Sequence, residues 1–189
     1  MPTRLLALIP SAVAINLAVG FLTNQLGLPI YLDTLGTVLA TGLAGPAAGV
    51  TTGVLSQLVR SLFESFIWLP FALVQVVVAL LAALAARRGG FRSGRIAMAW
   101  GALTGLAGGT ASAVISYIVF KGVTATGVTA VTALLIGAGL SRAQAVTTAS
   151  LGTDLLDKVI VFALIAAVLR SLPGRTAGRF PWALRAIGR

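Results

Sequence analysis

The chain of 189 residues contains no cysteine and no histidine, and only 10% of its residues are charged. Without cysteine and histidine it cannot form a disulfide, a zinc site built from these ligands, or a histidine-based general acid or base. A soluble domain carries about 25% charged residues, whereas 58% of this chain is hydrophobic. The composition therefore excludes an ordinary soluble domain and predicts an all-α integral membrane protein.

The hydrophobic residues are grouped in blocks whose length suits membrane-spanning helices, which need about 20 residues each. The block over residues 31–62 is interrupted by Gly45-Pro46, and proline ends or kinks a helix at the preceding residue. We therefore predict two short helices there. The chain is predicted to form one domain, a six-helix transmembrane bundle, with helices over residues 5–24, 32–44, 47–62, 67–86, 96–120 and 153–169. The first block also has the pattern of a signal peptide around residues 12–14, but its length favours a membrane span.

The formal net charge of +10 is concentrated in three segments. Arginine occurs at position 4, four times in the loop 87–95 and five times in the basic tail 170–189. Short basic segments of membrane proteins lie in the cytoplasm, and these three share one side only if residues 31–62 cross the membrane twice. We therefore predict a multi-pass cell-membrane protein, surrounded by lipid, with both termini in the cytoplasm. Because topology accounts for the charge, no nucleic-acid partner is predicted.

Residues 121–150 are predicted to lie on the outer side. Their middle, 128–140, is apolar but short, and threonine and glycine dilute it. Three structures fit this composition: a re-entrant element, a surface element, or the early part of a longer last helix. A seventh crossing is disfavoured because it would place the basic tail outside.

The chain has four acidic residues, and all of them fall near the predicted outer ends of helices: Asp33, Glu64, Asp154 and Asp157. Charges at membrane depth are costly, so they pair or mark a functional cavity. Arg60 lies on one helix face with Glu64, and Lys158 lies on one face with both acids of the last helix. One interpretation is local: Asp33 and Asp154 stand near helix starts, where an acid is favoured, and the others form pairs within a helix.

The other interpretation is a polar chamber that opens outward and binds a small polar ligand. We predict that its substrate-binding side chains are Asn24, Tyr31, Asp33, Arg60, Glu64, Trp68, Asp154, Asp157 and Lys158. Asp154 and Asp157 have a spacing that can hold Mg²⁺, but Lys158 beside them favours neutralisation. We therefore predict no metal site, no cofactor and no enzymatic activity.

Small residues recur at intervals near four, a spacing that lets helices approach closely. Most of these rows are expected to serve packing inside the bundle: Gly42, Gly45, Gly49 and Gly53, and then Gly101, Gly105 and Gly109. Ala14 and Ala18 form a further pair of this kind on the first helix.

Two stretches resemble the S components of energy-coupling factor (ECF) transporters, small membrane proteins that capture vitamins. They are Tyr-Leu-Asp-Thr-Leu-Gly-Thr at 31–37 and Leu-Ala-Gly-Pro-Ala-Ala-Gly-Val at 43–50. The predicted layout of six helices with both termini inside is also similar. In that family an Ala-x-x-x-Ala motif on the first helix meets the coupling subunit, and Ala14 and Ala18 match it.

The resemblance implies a vitamin or cofactor precursor as substrate, bound near the outer surface. It also implies a transmembrane coupling subunit and two ATPase subunits as partners. Metal-specific relatives carry an N-terminal histidine motif, and this chain has no histidine, so nickel and cobalt are not expected. An alternative hypothesis is a stand-alone small permease, or the membrane sensor of a signalling system, that uses the same chamber.

Overall fold

The computed structural model describes residues 3–121 and 127–188, which form α-helices, one 3₁₀ helix and connecting turns, without a β-strand among them. The 3₁₀ helix is Phe66–Phe71. The α-helices are α1 Thr3–Gln25, α2 Leu35–Ala44, α3 Pro46–Phe63, α4 Ala72–Arg87, α5 Gly94–Phe120, α6 Gly127–Gly137, α7 Arg142–Ser171, α8 Gly174–Ala177 and α9 Pro181–Ala186. The fold is therefore all-α.

Within the described parts of the chain, three helical segments are long and apolar enough to cross a membrane: Ala7–Gln25, Phe66–Arg87 and Gly94–Phe120. Large apolar side chains cover the outside of the molecule; Phe63, for example, is 86% exposed. The interior holds a hydrophobic core, which includes Phe91, Phe162 and Leu169, together with buried polar and charged side chains. The extensive exposed apolar surface is typical of a membrane protein.

The Gly45-Pro46 pair separates α2 from α3. Gly45 has a φ of 91°, a conformation that glycine adopts readily, and Pro46 occupies the first position of α3, where its missing N–H costs nothing. The indole of Trp182 lies against Gly45, and a Cβ there would come within 2.6 Å of it. Glycine is therefore required at this turn by its backbone conformation and by the neighbouring ring.

The predicted helix over 67–86 is divided in the structure. Its first turns form the 3₁₀ helix, and α4 begins at Ala72. Pro70 lies at this boundary, and it cannot donate the backbone hydrogen bond that would continue a regular α-helix. Ser65 opens the 3₁₀ helix by accepting a hydrogen bond from the N–H of Ile67 at 3.4 Å.

The last long helix begins at Arg142, not at 153 as predicted. Ser141 accepts a hydrogen bond from the N–H of Gln144, whose side chain accepts one from the N–H of Ser141. This reciprocal cap is a helix start signal, and it explains why α7 begins before its apolar part. Residues 127–137 form a separate helix, α6, that packs on α7, while 122–126, also part of the predicted outer segment, lie outside the described residues.

Glycines bring α5 and α7 into backbone contact. A Cβ at Gly101 would lie 2.5 Å from the backbone oxygen of Lys158, and one at Gly105 would lie 2.6 Å from that of Asp154. The row that includes Gly109 therefore serves internal packing, as predicted. Because these contacts admit no side chain, they set the position of α7, and of its charged residues, against α5.

The basic tail folds back onto the helix ends. Ala183, Ala186 and Ile187 are buried in the main hydrophobic core, and the N–H of Phe91 donates to the backbone oxygen of Ala186 at 2.9 Å. Two basic segments, 87–95 and 170–188, therefore meet at one end of the molecule, which we call the basic end. Their arginines are exposed: Arg87, Arg88, Arg92, Arg95, Arg170, Arg175, Arg179 and Arg185.

Candidate functional site

Asp33 lies in the loop between α1 and α2 and is 8% exposed. Its Oδ2 accepts hydrogen bonds from Arg60 Nη1 at 3.2 Å and from Gln57 Nε2 at 3.3 Å, both from α3. Its backbone oxygen accepts a hydrogen bond from Gln75 Nε2 of α4 at 3.1 Å. The interpretation of Asp33 as an acid that opens a helix is therefore wrong: α2 begins two residues later, and the carboxylate joins α3.

Arg60 is 3% exposed and has partners on two sides. Its Nε lies 2.9 Å from Glu64 Oε2, one turn further along α3, and its Nη1 reaches Asp33. The guanidinium also stacks over the ring of Trp68, 3.5 Å from the ring centroid. A planar guanidinium suits this combination of ion pairing and stacking, which an ammonium cannot reproduce.

Lys158 on α7 is buried between two carboxylates. Its Nζ lies 3.4 Å from Asp154 Oδ1 and also donates to Asp157 Oδ2. The other oxygen of Asp157 accepts the N–H groups of Tyr31 at 3.1 Å and Leu32 at 2.6 Å. Because Leu32 has a φ of 50°, rare for a residue with a side chain, this carboxylate holds the α1–α2 loop in an uncommon conformation.

These six ionisable side chains, which we call the charged cluster, are Asp33, Arg60, Glu64, Asp154, Asp157 and Lys158. The two acids of α7 lie further from the start of their helix than predicted. Asp154 is twelve residues after Arg142, which is about 18 Å along the helix, so it does not stand near the start of α7. Lys121 and Arg142 are exposed near helix ends. The buried members are three carboxylates and two cations.

A small cavity of about 30 Å³ lies inside the bundle next to the cluster. That space holds about two water molecules. Its wall combines apolar and polar side chains: Tyr31, Asp33, Thr34, Gln57, Trp68, Phe71, Val74, Gln75, Ser112, Asp154 and Lys158. Five separate parts of the chain meet there, namely the α1–α2 loop, α3, the 3₁₀ helix with α4, α5, and α7.

Three oxygens in the cavity wall have no hydrogen-bond partner among the described residues: Thr34 Oγ1, Gln57 Oε1 and Asp154 Oδ2. Their residues are 1%, 3% and 1% exposed, respectively. An unsatisfied buried polar group costs about 1–3 kcal/mol, and most buried polar groups in proteins are satisfied. Three such groups around one cavity make it the candidate site.

No family model, curated protein or solved structure matches this chain. Its function is therefore argued from the cavity and the sequence. Within the described residues, no three His, Cys, Asp or Glu side chains come together as metal ligands. The carboxylates of the cluster instead contact Arg60 and Lys158.

The structure brings most of the predicted site residues together, in three different positions. Five line the cavity: Tyr31, Asp33, Trp68, Asp154 and Lys158. Arg60, Glu64 and Asp157 belong to the charged cluster without lining the cavity. Asn24 does neither; it lines a smaller neighbouring pocket that Tyr31 and Arg60 share.

Sequence reasoning missed seven residues that shape the site. Asn16 supports the cavity from α1, and the other six line it: Thr34, Gln57, Phe71, Val74, Gln75 and Ser112. Asn16 Nδ2 donates to Thr37 Oγ1 at 2.9 Å, and that hydroxyl donates to Gln75 Oε1 at 2.7 Å. A single amide inside an apolar run is a usable signal, because an unpaired amide is costly there. Phe71 and Ser112 carry no comparable signal.

Proposed function

We propose that this chain is the substrate-binding S component of an ECF-type transporter in the prokaryotic cell membrane. It captures a vitamin or cofactor precursor at the outer face and delivers it with a transmembrane coupling subunit and two ATPase subunits. The observation that carries the binding role is the cavity wall, with unpartnered buried oxygens on Thr34, Gln57 and Asp154. The choice of transporter class rests on the resemblance of residues 31–37 and 43–50.

A binding role suits the chemistry of the cavity better than catalysis does. Asp154 and Asp157 both contact Lys158, and this pairing leaves neither carboxylate as an unpaired base. Trp68, Phe71 and Val74 line the cavity together with polar side chains. A concave site that combines apolar side chains with a few polar groups is typical of small-molecule binding.

Ligand binding requires the cavity to widen, because about 30 Å³ is much smaller than the roughly 300–1,000 Å³ of typical ligand sites. We expect the α1–α2 loop and the 3₁₀ helix to move, since both contribute to the wall and carry exposed apolar residues. Leu26 and Phe66, for example, are each 71% exposed. Movement of the loop would break the two hydrogen bonds that Asp157 accepts from it.

The proposed topology has six crossings, by α1, α2, α3, the 3₁₀ helix with α4, α5, and α7, with both termini in the cytoplasm. It is supported by the meeting of the two basic segments at the basic end, where Phe91 bonds to Ala186. α2 has only 10 residues, or about 15 Å. It runs from Asp33 in the charged cluster to the Gly45 turn, and most of it is buried, so it needs no lipid contact along a full membrane thickness.

The proposed docking face is on α1. Ala14 and Ala18 are exposed, whereas the glycine rows on α2, α3 and α5 pack inside the molecule. Small exposed residues one turn apart allow a partner helix to approach closely. This difference in position supports assigning the coupling subunit to α1.

The binding and coupling roles are tested separately. Native mass spectrometry of the purified chain should detect a co-purified small molecule, and a pull-down in mild detergent should recover the coupling subunit and both ATPases.

Ala14→Arg should abolish uptake and leave ligand binding intact, while Ala99→Arg, at an exposed alanine of α5, should affect neither. Loss of ligand binding together with uptake in Ala14→Arg would contradict the docking assignment. A bound ligand without any recovered partner would favour a stand-alone permease or membrane sensor.

A further inference from the structure

The cavity wall is unbalanced in its hydrogen-bonding capacity. All three of its unpartnered atoms are oxygens, and two of them, Gln57 Oε1 and Asp154 Oδ2, can only accept. The nitrogens nearby are already donating: Gln57 Nε2 to Asp33, Gln75 Nε2 to the backbone oxygen of Asp33, and Lys158 Nζ to Asp157. A ligand that carries N–H or O–H donors would satisfy these oxygens.

The formal charge of the site is also unbalanced. The buried carboxylates are Asp33, Asp154 and Asp157, and the buried cations are Arg60 and Lys158. Glu64, which is partly exposed, adds a further carboxylate to the pair formed by Arg60. Because an uncompensated charge is costly in a low-dielectric setting, this excess of carboxylates favours a ligand that carries positive charge.

The apolar side chains of the cavity wall limit the shape of the ligand. Trp68 and Phe71 lie with ring centroids 6.2 Å apart, and Val74 continues the same wall. Phe71 in turn stacks on Phe120, with ring planes at 7°. This apolar wall suits a flat hydrocarbon or heteroaromatic body.

We infer that the cavity takes a small organic cation, with N–H donors that face Thr34, Gln57 and Asp154 and a flat apolar body that packs on Trp68 and Phe71. Amidinium, guanidinium and protonated amine groups have this chemistry. The inference rests on the proposed function only in requiring that the chain binds a small molecule. It adds the chemical class of that molecule, which neither the fold nor the resemblance supplies.

Three compounds with the same flat ring and different charge test the inference: benzamidine, benzamide and benzoate. The full chain, purified in detergent, is titrated with each compound by calorimetry. We expect benzamidine to bind at least about tenfold more tightly than the other two, a difference of about 1.4 kcal/mol. Equal or tighter binding of benzamide or benzoate, or no measurable binding of benzamidine, would overturn the inference.

Variants locate the binding at the cavity. Asp154→Asn removes a charge with little change of shape and should weaken benzamidine binding by roughly tenfold. Thr34→Val should weaken it by roughly threefold to tenfold. Thr52→Val is the matched control, since Thr52 Oγ1 is also buried and unpartnered but does not line the cavity; its affinity should not change. Unchanged affinity in Asp154→Asn, with an unchanged melting temperature, would overturn the inference.

The native mass spectrum separates this inference from the proposed function. A co-purified cation supports both. If a neutral or anionic compound co-purifies with the wild-type chain and is absent from the purified Trp68→Ala variant, the cation inference is overturned. The substrate-binding role then still holds. A chain that carries no small molecule and binds none of the three compounds overturns both.

Discussion

In the charged cluster, five ionisable side chains are buried and each lies against a group of opposite formal charge, whereas the arginines of the basic end are exposed. Two arginines of the basic end lie over aromatic rings: Arg87 lies 5.5 Å from the ring centroid of Trp182, and Arg88 lies 5.9 Å from that of Trp100. Exposed charges cost little and can specify orientation in a membrane. Buried charges are costly and are found mostly in pairs or at functional sites, so their presence points to function.

The largest difference between the two regions should appear when one buried cation is removed. Lys158→Met leaves Asp154 and Asp157 without their shared partner, and breaking a buried pair costs about 3–5 kcal/mol. Arg185→Met at the basic end should change stability by less than about 0.5 kcal/mol. Melting temperatures in detergent compare the two variants. Similar small shifts in both would show that the buried pairs do not stabilise the fold.

The position of the charged cluster depends on the contact between α5 and α7, and a single methyl group should disturb it. Gly105→Ala places a Cβ 2.6 Å from the backbone of α7, and overpacking of this kind costs up to about 3 kcal/mol. Gly152→Ala on α7 meets nothing within 4 Å and should stabilise the helix by about 0.5–1 kcal/mol. The sign of the two melting-temperature shifts should therefore differ. Shifts of the same sign would contradict the close contact.

A smaller effect is expected from the hydrogen bonds that support the cluster. Thr37→Val removes the hydroxyl between Asn16 and Gln75, which leaves buried amide groups unpaired and should cost about 1–2 kcal/mol. Thr110→Val removes a hydroxyl that donates to Leu106 within its own helix on an exposed face. We expect no measurable loss of stability there by thermal unfolding. Equal losses would mean that the buried network adds nothing beyond local helix bonding.

The smallest effect is expected at the basic end. Arg87→Ala removes the cation above Trp182 and should lower stability by about 0.5 kcal/mol, the value of an exposed cation–aromatic contact. Arg179→Ala removes an exposed arginine and should leave the melting temperature unchanged. A loss in Arg87→Ala as large as that in Lys158→Met would remove the distinction between the two regions.

Local features of the fold were open to prediction from the sequence because their causes lie within a few residues. Pro46 after Gly45 ends one helix and starts the next. The start of α7 also has a local cause, since Ser141 and Gln144 form a reciprocal cap. The prediction instead followed the apolar pattern from 153 onward, and the predicted first residue of this helix was therefore wrong. That error placed Asp154 near a helix start, although it lies deep within α7.

The sequence by itself determined which charges share a helix face, as with Arg60 and Glu64, because that spacing follows from the helix period. Only the tertiary structure decided that Asp33 joins Arg60 and that Asp157 holds the α1–α2 loop. These contacts join residues far apart in the chain, and their geometry depends on how closely the helices pack. The backbone contact at Gly105 is one such determinant. Helix period is a property of each segment alone, whereas a cavity exists only where several segments meet.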